Sequence, residues 1–189
     1  MKIGITGSIG SGKSTVVRYL KEKGYKIFSC DEYNKKLLRK NSKAYPILLN
    51  KFPDCFKDNK LDKQALANII FNNKEKKKEL EDILHPLIIN EMKRQMDKNE
   101  LIFVEVPLLF ESNLDNYFDH ILLVLCDEEI ALKRLKKRGL SLEESKQRLK
   151  NQMSQETKSK RAHYLIYNNG SLLDLYEEIE KWLDKYVRI

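Results

Sequence analysis

Residues 7–14 read Gly7-Ser8-Ile9-Gly10-Ser11-Gly12-Lys13-Ser14. The spacing fits G-x-x-x-x-G-K-[ST], and each residue type in it has a task at a phosphate. Glycines let the backbone curl so that successive N–H groups point inward at anionic oxygens, and a Cβ at Gly12 would obstruct that approach. Lys13 brings positive charge to the β/γ-phosphate bridge, and the Ser14 hydroxyl can ligate Mg2+. A helix beginning at this point adds the positive end of its dipole. Gly10, Ser11, Gly12, Lys13, Ser14 and Thr15 are therefore the candidate ATP-binding residues.

A phosphate loop alone does not separate a switch, a motor and a kinase. Four further places bear on that choice. Asp31 follows the apolar segment Lys26-Ile27-Phe28-Ser29-Cys30. In an open α/β sheet ligands gather at the carboxyl ends of the strands, so Asp31 is expected at the sheet edge that carries the loop. There it could take a proton from an attacking hydroxyl, hold Mg2+ through water, or cap a helix over Glu32–Arg39. Glu105, at the end of the third apolar segment, could support the Mg2+ water shell or be a polar strand end. Arg134 and Arg138 are four residues apart and share a helix face, and planar guanidinium groups suit phosphate oxygens. Arg148, Lys158 and Arg161 could add to that charge, although cations at a helix C-terminus also answer its dipole. His85 precedes Pro86 in a helical region and could contact a ligand's phosphate or ribose, or be structural. Asn59-Lys60-Leu61-Asp62 matches the guanine-reading N-K-x-D pattern but follows no buried strand, and the chain has no D-x-x-G. Asp58-Asn59 reads as a turn and Leu61-Asp62 as a helix start.

The elements that must position these residues alternate between strand and helix, which predicts a parallel sheet with helices on both sides. The candidate strands are Lys2–Thr6, Tyr25–Phe28, Leu101–Val106, His120–Cys126 and Tyr164–Tyr167. Gly24 is expected to stop the first helix. Ser141 and Ser171 begin capping-box-like starts. Residues 41–100 contain no strand-like segment and read as several helices interrupted at Pro46, Pro53 and Pro86. The expected organisation is one domain: a core of about 1–40 and 100–189, a helical substrate-binding insertion at about 41–100, and a lid at about 134–160.

Composition narrows the setting. The chain has 189 residues and a net charge of +8, which suits polyanionic small molecules as well as nucleic acid. Lysines and glutamates interleave over Lys74–Glu81 as on a solvated helix face, and no DNA-reading or RNA-binding motif stands out. No apolar run approaches the ~20 residues of a membrane span. The three cysteines, Cys30, Cys55 and Cys126, are scattered and form no CxxC pair, which points to a reducing cytoplasm.

Taken together, the chain resembles the dephospho-coenzyme A kinases over nearly its whole length. The resemblance lies in residues 3–15, Asp31, Leu61-Asp62, Leu84-His85-Pro86-Leu87-Ile88, Val106-Pro107-Leu108-Leu109-Phe110-Glu111, Arg148, Gln152 and Asn168-Asn169-Gly170-Ser171. It implies a three-layer α/β/α P-loop kinase with a five-stranded parallel sheet. It also implies transfer of phosphate from ATP, with Mg2+, to the ribose 3′-hydroxyl of dephospho-coenzyme A, the last step of coenzyme A synthesis. Asp31, Lys13 and Arg138 would be catalytic, with Arg138 in the lid, and Asp31, His85, Pro86 and Leu109 would hold the acceptor. Ser14 would ligate the metal, with Glu105 acting through water. The chain departs from the family's usual pattern at Glu105, where Asp is frequent, at Gly139, where an acid or amide is common, and at His163 and Tyr167. The rival expectations are a nucleoside or nucleoside monophosphate kinase and a nucleic-acid-binding NTPase.

Overall fold

The structure is a computed structural model describing residues 1–188. In chain order the elements are β1 (Lys2–Gly7), α1 (Lys13–Glu22), β2 (Ile27–Ser29), α2 (Cys30–Leu37) and α3 (Tyr45–Lys51). There follow β3 (Phe56–Lys57), β4 (Lys60–Leu61), α4 (Lys63–Asn72), α5 (Lys74–Asp97), β5 (Ile102–Glu105) and β6 (His120–Leu125). The chain closes with α6 (Glu128–Lys137), α7 (Leu142–Lys150), α8 (Gln155–Arg161), β7 (Tyr164–Tyr167) and α9 (Leu172–Tyr186). Its contacts divide it into two compact units: Met1–Phe28 with the chain from Asn99 onward, and Ser29–Lys98.

The first unit is built on a five-stranded parallel sheet of order β2-β5-β1-β6-β7. Strand β1 lies at its centre, in register with β5 (Ile5 opposite Glu105) and with β6 (Gly7 opposite Val124). Every residue of β5 and nearly every residue of β6 is buried, as expected of strands covered on both faces. Helices α1 and α9 pack on one face through Val16, Val17, Leu20, Leu175, Ile179, Trp182 and Leu183 against Ile3, Ile5, Phe103, Leu122 and Ile166. A polar clasp joins the same two helices. The Tyr19 hydroxyl donates to Glu180 Oε1 at 2.6 Å, Lys23 Nζ lies 3.1 Å from that oxygen, and Arg188 Nη1 donates to Oε2 at 2.8 Å. With the Tyr19 bond foremost, these donors hold the Glu180 carboxyl down at about 2.

Helix α1 ends as the sequence predicts. Gly24 adopts φ 86°, its N–H donates to Lys21 O, and Tyr25 N–H donates to Leu20 O at 3.1 Å. That cap occupies Tyr25, so β2 begins at Ile27 rather than at Tyr25.

The second unit contains α2–α5 around Leu37, Ala44, Leu48, Phe52, Cys55, Leu66, Leu80 and Leu84. Helix α2, which the sequence reading counted with the core, belongs to this unit. Three expectations change here. The region has a strand pair after all, the short antiparallel hairpin β3–β4. Its turn is Asp58-Asn59 at φ 48° and 57°, the positive values that a two-residue hairpin turn requires and that Asp and Asn tolerate. Pro46 lies in the first turn of α3, where its missing N–H has no intrahelical use. Pro86 does not end a helix: α5 runs through it for 24 residues, because losing one N–H leaves the neighbouring turns bonded and the Leu80 and Leu84 face packed.

Candidate active site

The phosphate loop emerges between β1 and α1 with its backbone already curled. Gly10 and Gly12 sit at φ 83° and 98°, where only glycine is unstrained. Ser11 N–H donates to Ser8 O at 3.1 Å, and Thr15 N–H to Gly12 O at 2.9 Å. A Cβ at Gly10 would stand 3.0 Å from Ala131 O, so α6 backs the loop directly. At Gly12 a Cβ would fall 2.0 Å from Asn168 Nδ2. The reason for glycine at position 12 therefore includes a neighbour inside the protein, not only room for a phosphate.

Several side chains grip the loop from behind. Arg134, on α6, donates Nη1 to Ser11 O at 3.2 Å and to Gly10 O at 3.4 Å, and Nη2 to Asn168 O at 2.9 Å. Asn168 Nδ2 donates to Ser11 O at 2.8 Å. Gln152 Oε1 accepts from Ile9 N–H at 3.0 Å. Cys126 Sγ lies 3.7 Å from Gly10 O, and burial pushes its thiol up, which keeps it a neutral donor. Arg134 and Arg138, four residues apart and candidates for phosphate oxygens, diverge. Arg134 faces protein carbonyls, whereas Arg138 is the exposed cap residue beyond the end of α6. Gly139 follows at φ 88° and donates to Lys136 O, so the residue that departs from the family pattern serves the helix stop.

Lys13 begins α1, and its Nζ lies 3.8 Å from Glu105 Oε1, with 14% and 11% of the two side chains exposed. This mostly buried pair holds the lysine at the sheet's carboxyl edge. Ser14 is exposed in the first turn of α1. One hydroxyl with one nearby carboxylate suits Mg2+, a hard cation that takes its other oxygens from phosphates and water. Among the described residues no group of three or more His, Cys, Asp or Glu side chains could hold a metal by itself.

Two of the remaining basic candidates, Lys158 and Arg161, are committed elsewhere. Lys158 is fully buried, 2.8 Å from Glu111 Oε1. Arg161 donates to Asp115 Oδ2 at 2.7 Å and stacks 4.9 Å from the Phe110 ring centre. Arg148 is exposed on α7, whose Ser141–Glu144 capping box forms as expected. His163 Nδ1 accepts from Ile121 N–H at 3.1 Å, and Tyr167 is exposed on β7. Leu109 is fully buried, with Cδ1 2.8 Å from where a Cβ on Gly4 would stand. It is part of the core beneath the turn that follows β5.

In the helical unit, Asp31 lies in the first turn of α2 with its side chain exposed. The cap is Ser29, whose Oγ accepts from Glu32 N–H at 3.2 Å. The helix therefore makes no capping demand on the Asp31 carboxylate. His85 and Pro86 are both exposed on α5, away from its buried Leu80 and Leu84. Asp62 caps α4, accepting from Gln64 and Ala65 N–H at 3.0 Å, which removes it from any guanine-reading role.

Sequence reasoning missed the grip on the loop. Gln152 and Asn168 had surfaced only within the resemblance, and Arg134 only as a partner of Arg138. No local periodicity signals bonds that join residues more than 100 positions apart.

Comparison with known proteins follows the same lines. The family model described as dephospho-CoA kinase matches residues 1–174. The dephospho-CoA kinase of Fusobacterium nucleatum is 40% identical over 190 residues, covering 97% of each chain. The structure of dephospho-CoA kinase from Campylobacter jejuni superposes with a TM-score of 0.75 at 34% identity, over 100% of this chain and 98% of that one. TT1252 from Thermus thermophilus superposes with a TM-score of 0.85 at 36% identity, over 99% of this chain and 98% of that one. Neither rival expectation is favoured by these matches. Matched by that family model over residues 1–174 and by a relative 40% identical over 97% of each chain, the chain belongs to the dephospho-CoA kinase family.

Proposed function

We propose that the protein transfers the γ-phosphoryl group of ATP to the ribose 3′-hydroxyl of dephospho-coenzyme A. The hydroxyl oxygen forms a bond to the γ-phosphorus as the bond to the β,γ-bridging oxygen breaks, and ADP leaves. Little covalent work falls to the protein, so catalysis is mostly positioning and charge stabilisation. The loop from Gly10 to Thr15, through the N–H groups not already bonded within it, and the Lys13 ammonium hold the phosphates. Asp31 orients the acceptor hydroxyl and takes its proton. Arg138, exposed in the lid segment of about residues 134–160, offsets charge on the moving group, while Arg134 and Gln152 of that segment stay bound to the loop. Ser14 and, through water, Glu105 would hold Mg2+, which would supply positive charge against the charge developing on the phosphates. The acceptor rests against His85 and Pro86 of the helical insertion, with Leu109 supporting the turn after β5 from within the core. Three buried cysteines that form no disulfide suit a cytoplasmic setting.

The observation that carries the reading is the family match over residues 1–174, which spans both units. Its chemistry is supported by the cap at Ser29, which leaves the Asp31 carboxylate available. The test is Asp31→Asn, which keeps size and polarity but removes the proton acceptor. We expect kcat to fall by ~10²–10⁴, the range for loss of a general base. The Kd for ATP should change less than about threefold, because the donor's contacts lie on the loop. Near-normal turnover would remove Asp31 from its role.

A further inference from the structure

Two side chains from distant parts of the sequence converge on one peptide group of the phosphate loop. Ser11 O accepts from Arg134 Nη1 at 3.2 Å and from Asn168 Nδ2 at 2.8 Å. Arg134 Nη2 also donates to Asn168 O at 2.9 Å, so the two clamping residues hold each other. Asn168 is fixed in turn by its own N–H, which donates to Leu125 O at 2.7 Å, and only 6% of it is exposed. A peptide group is planar and trans, with its C=O and the following N–H pointing in opposite directions. Clamping Ser11 O therefore fixes the direction of Gly12 N–H, away from Arg134 and Asn168. The Asn168 amide also fills the space beside Gly12, where a Cβ would fall 2.0 Å from Nδ2.

We propose that Arg134 and Asn168 are positioning residues that hold the Ser11–Gly12 peptide in its anion-facing orientation before nucleotide arrives. The loop's conformation includes left-handed residues at Gly10 and Gly12, φ 83° and 98°, the kind of curl that turns successive N–H groups to one side. Such an arrangement repels itself electrostatically until an anion enters. Donors on the carbonyl side offset that cost in the empty protein, so the nucleotide does not have to order the loop as it binds. Arg134 suits the task because one rigid fork can serve three carbonyl oxygens, which a lysine cannot. The inference rests on ATP being the phosphoryl donor.

The test uses the full chain and titrates ATP, ADP and AMP by calorimetry. Arg134→Ala and Asn168→Ala should each weaken ATP and ADP about tenfold, roughly the share of one hydrogen bond involving a charge. AMP, which lacks the β- and γ-phosphates, should change less than about twofold. The double variant should lose less than the product of the single losses, because each clamp depends on the other. Arg134→Lys should recover part of the loss. Hydrogen exchange of the loop amides in nucleotide-free protein should be faster in both alanine variants, which simple loss of a ligand contact would not cause. Wild-type ATP affinity in Asn168→Ala, equal losses for AMP and ATP, or fully multiplicative losses would overturn the proposal. If Arg134→Ala does not fold, Arg134→Lys and Asn168→Ser supply the same comparison. If the wild type binds no ATP, the donor reading fails, and loop-amide protection alone decides whether the brace exists.

Discussion

Lys158 offers a severe test of how burial sets the energy of an ion pair here. Its Nζ lies 2.8 Å from Glu111 Oε1, with the lysine side chain 0% and the glutamate 19% exposed. Lys160 and Glu156 form a pair of nearly the same length, 2.7 Å, but with side chains 72% and 80% exposed. Coulomb's law at equal distance predicts equal attraction, so any difference must come from the surroundings. For the exposed pair, water screens the charges, and truncation should cost about 0.2–1 kcal/mol. For the buried pair, Lys158→Met leaves Glu111 with the Met153 N–H at 3.0 Å and with Oε2 unpartnered. Breaking a buried pair in this way costs about 3–5 kcal/mol, and the partial exposure of Glu111 places the value near the lower end, about 3. In a chain of this size that corresponds to a fall in Tm of roughly 6–12 °C. Urea unfolding of the wild type, Lys158→Met, Lys160→Met and Lys158→Met/Glu111→Gln measures it, with midpoints compared at unchanged slope. The double variant should regain at least half the loss, because Gln can still accept from Met153 without carrying a buried charge. A loss below about 1 kcal/mol in Lys158→Met, or a double variant that falls by the sum of the single effects, would refute the reasoning.

Two further outcomes follow from the folded chain. Glu180 titrates at about 2 in the folded protein, against an ordinary value of 4.5. Its stabilisation is therefore complete above about pH 4.5 and lost as pH falls towards 2, so Glu180→Gln should flatten the acid side of the stability profile in that window. Equal acid sensitivity of the two proteins by urea titration at pH 5 and pH 3 would count against the clasp. Because Ser29 caps α2 and Asp31 does not, Ser29→Ala should lower stability by about 1 kcal/mol. Asp31→Asn should stay within about 0.5 kcal/mol of the wild type, so that its lost turnover is separable from folding.

What could be read from the chain was whatever lies in local pattern. The loop motif, its flanking strand and helix, and the apolar runs that became β5 and β6 all follow from residue type and spacing over a few positions. The capping boxes at Ser141 and Ser171 did as well. The hairpin β3–β4 escaped because two-residue strands have no periodicity to detect, although its Asp58-Asn59 turn was visible. Pro86 misled because a helix 24 residues long, packed through Leu80, Leu84, Met92 and Met96, absorbs one missing hydrogen bond. Asp31 was one possible cap of α2, but the cap is Ser29, two residues earlier, since both have good capping chemistry and only backbone geometry separates them. Arg134, Gln152 and Asn168 reach the loop across the tertiary fold, so their partners could not be read from neighbours in sequence. Lys158 was offered as added charge for phosphate, whereas it is fully buried against Glu111.

The central claim is the reaction itself. Wild-type protein incubated with Mg2+, ATP and dephospho-coenzyme A should yield ADP and, in equal amount, an acceptor carrying one additional phosphate. Mass spectrometry with phosphorus NMR should place that phosphate on the ribose 3′-oxygen. An unmodified acceptor with ATP intact or merely hydrolysed, or faster transfer to a nucleoside or nucleotide under the same conditions, would contradict the account.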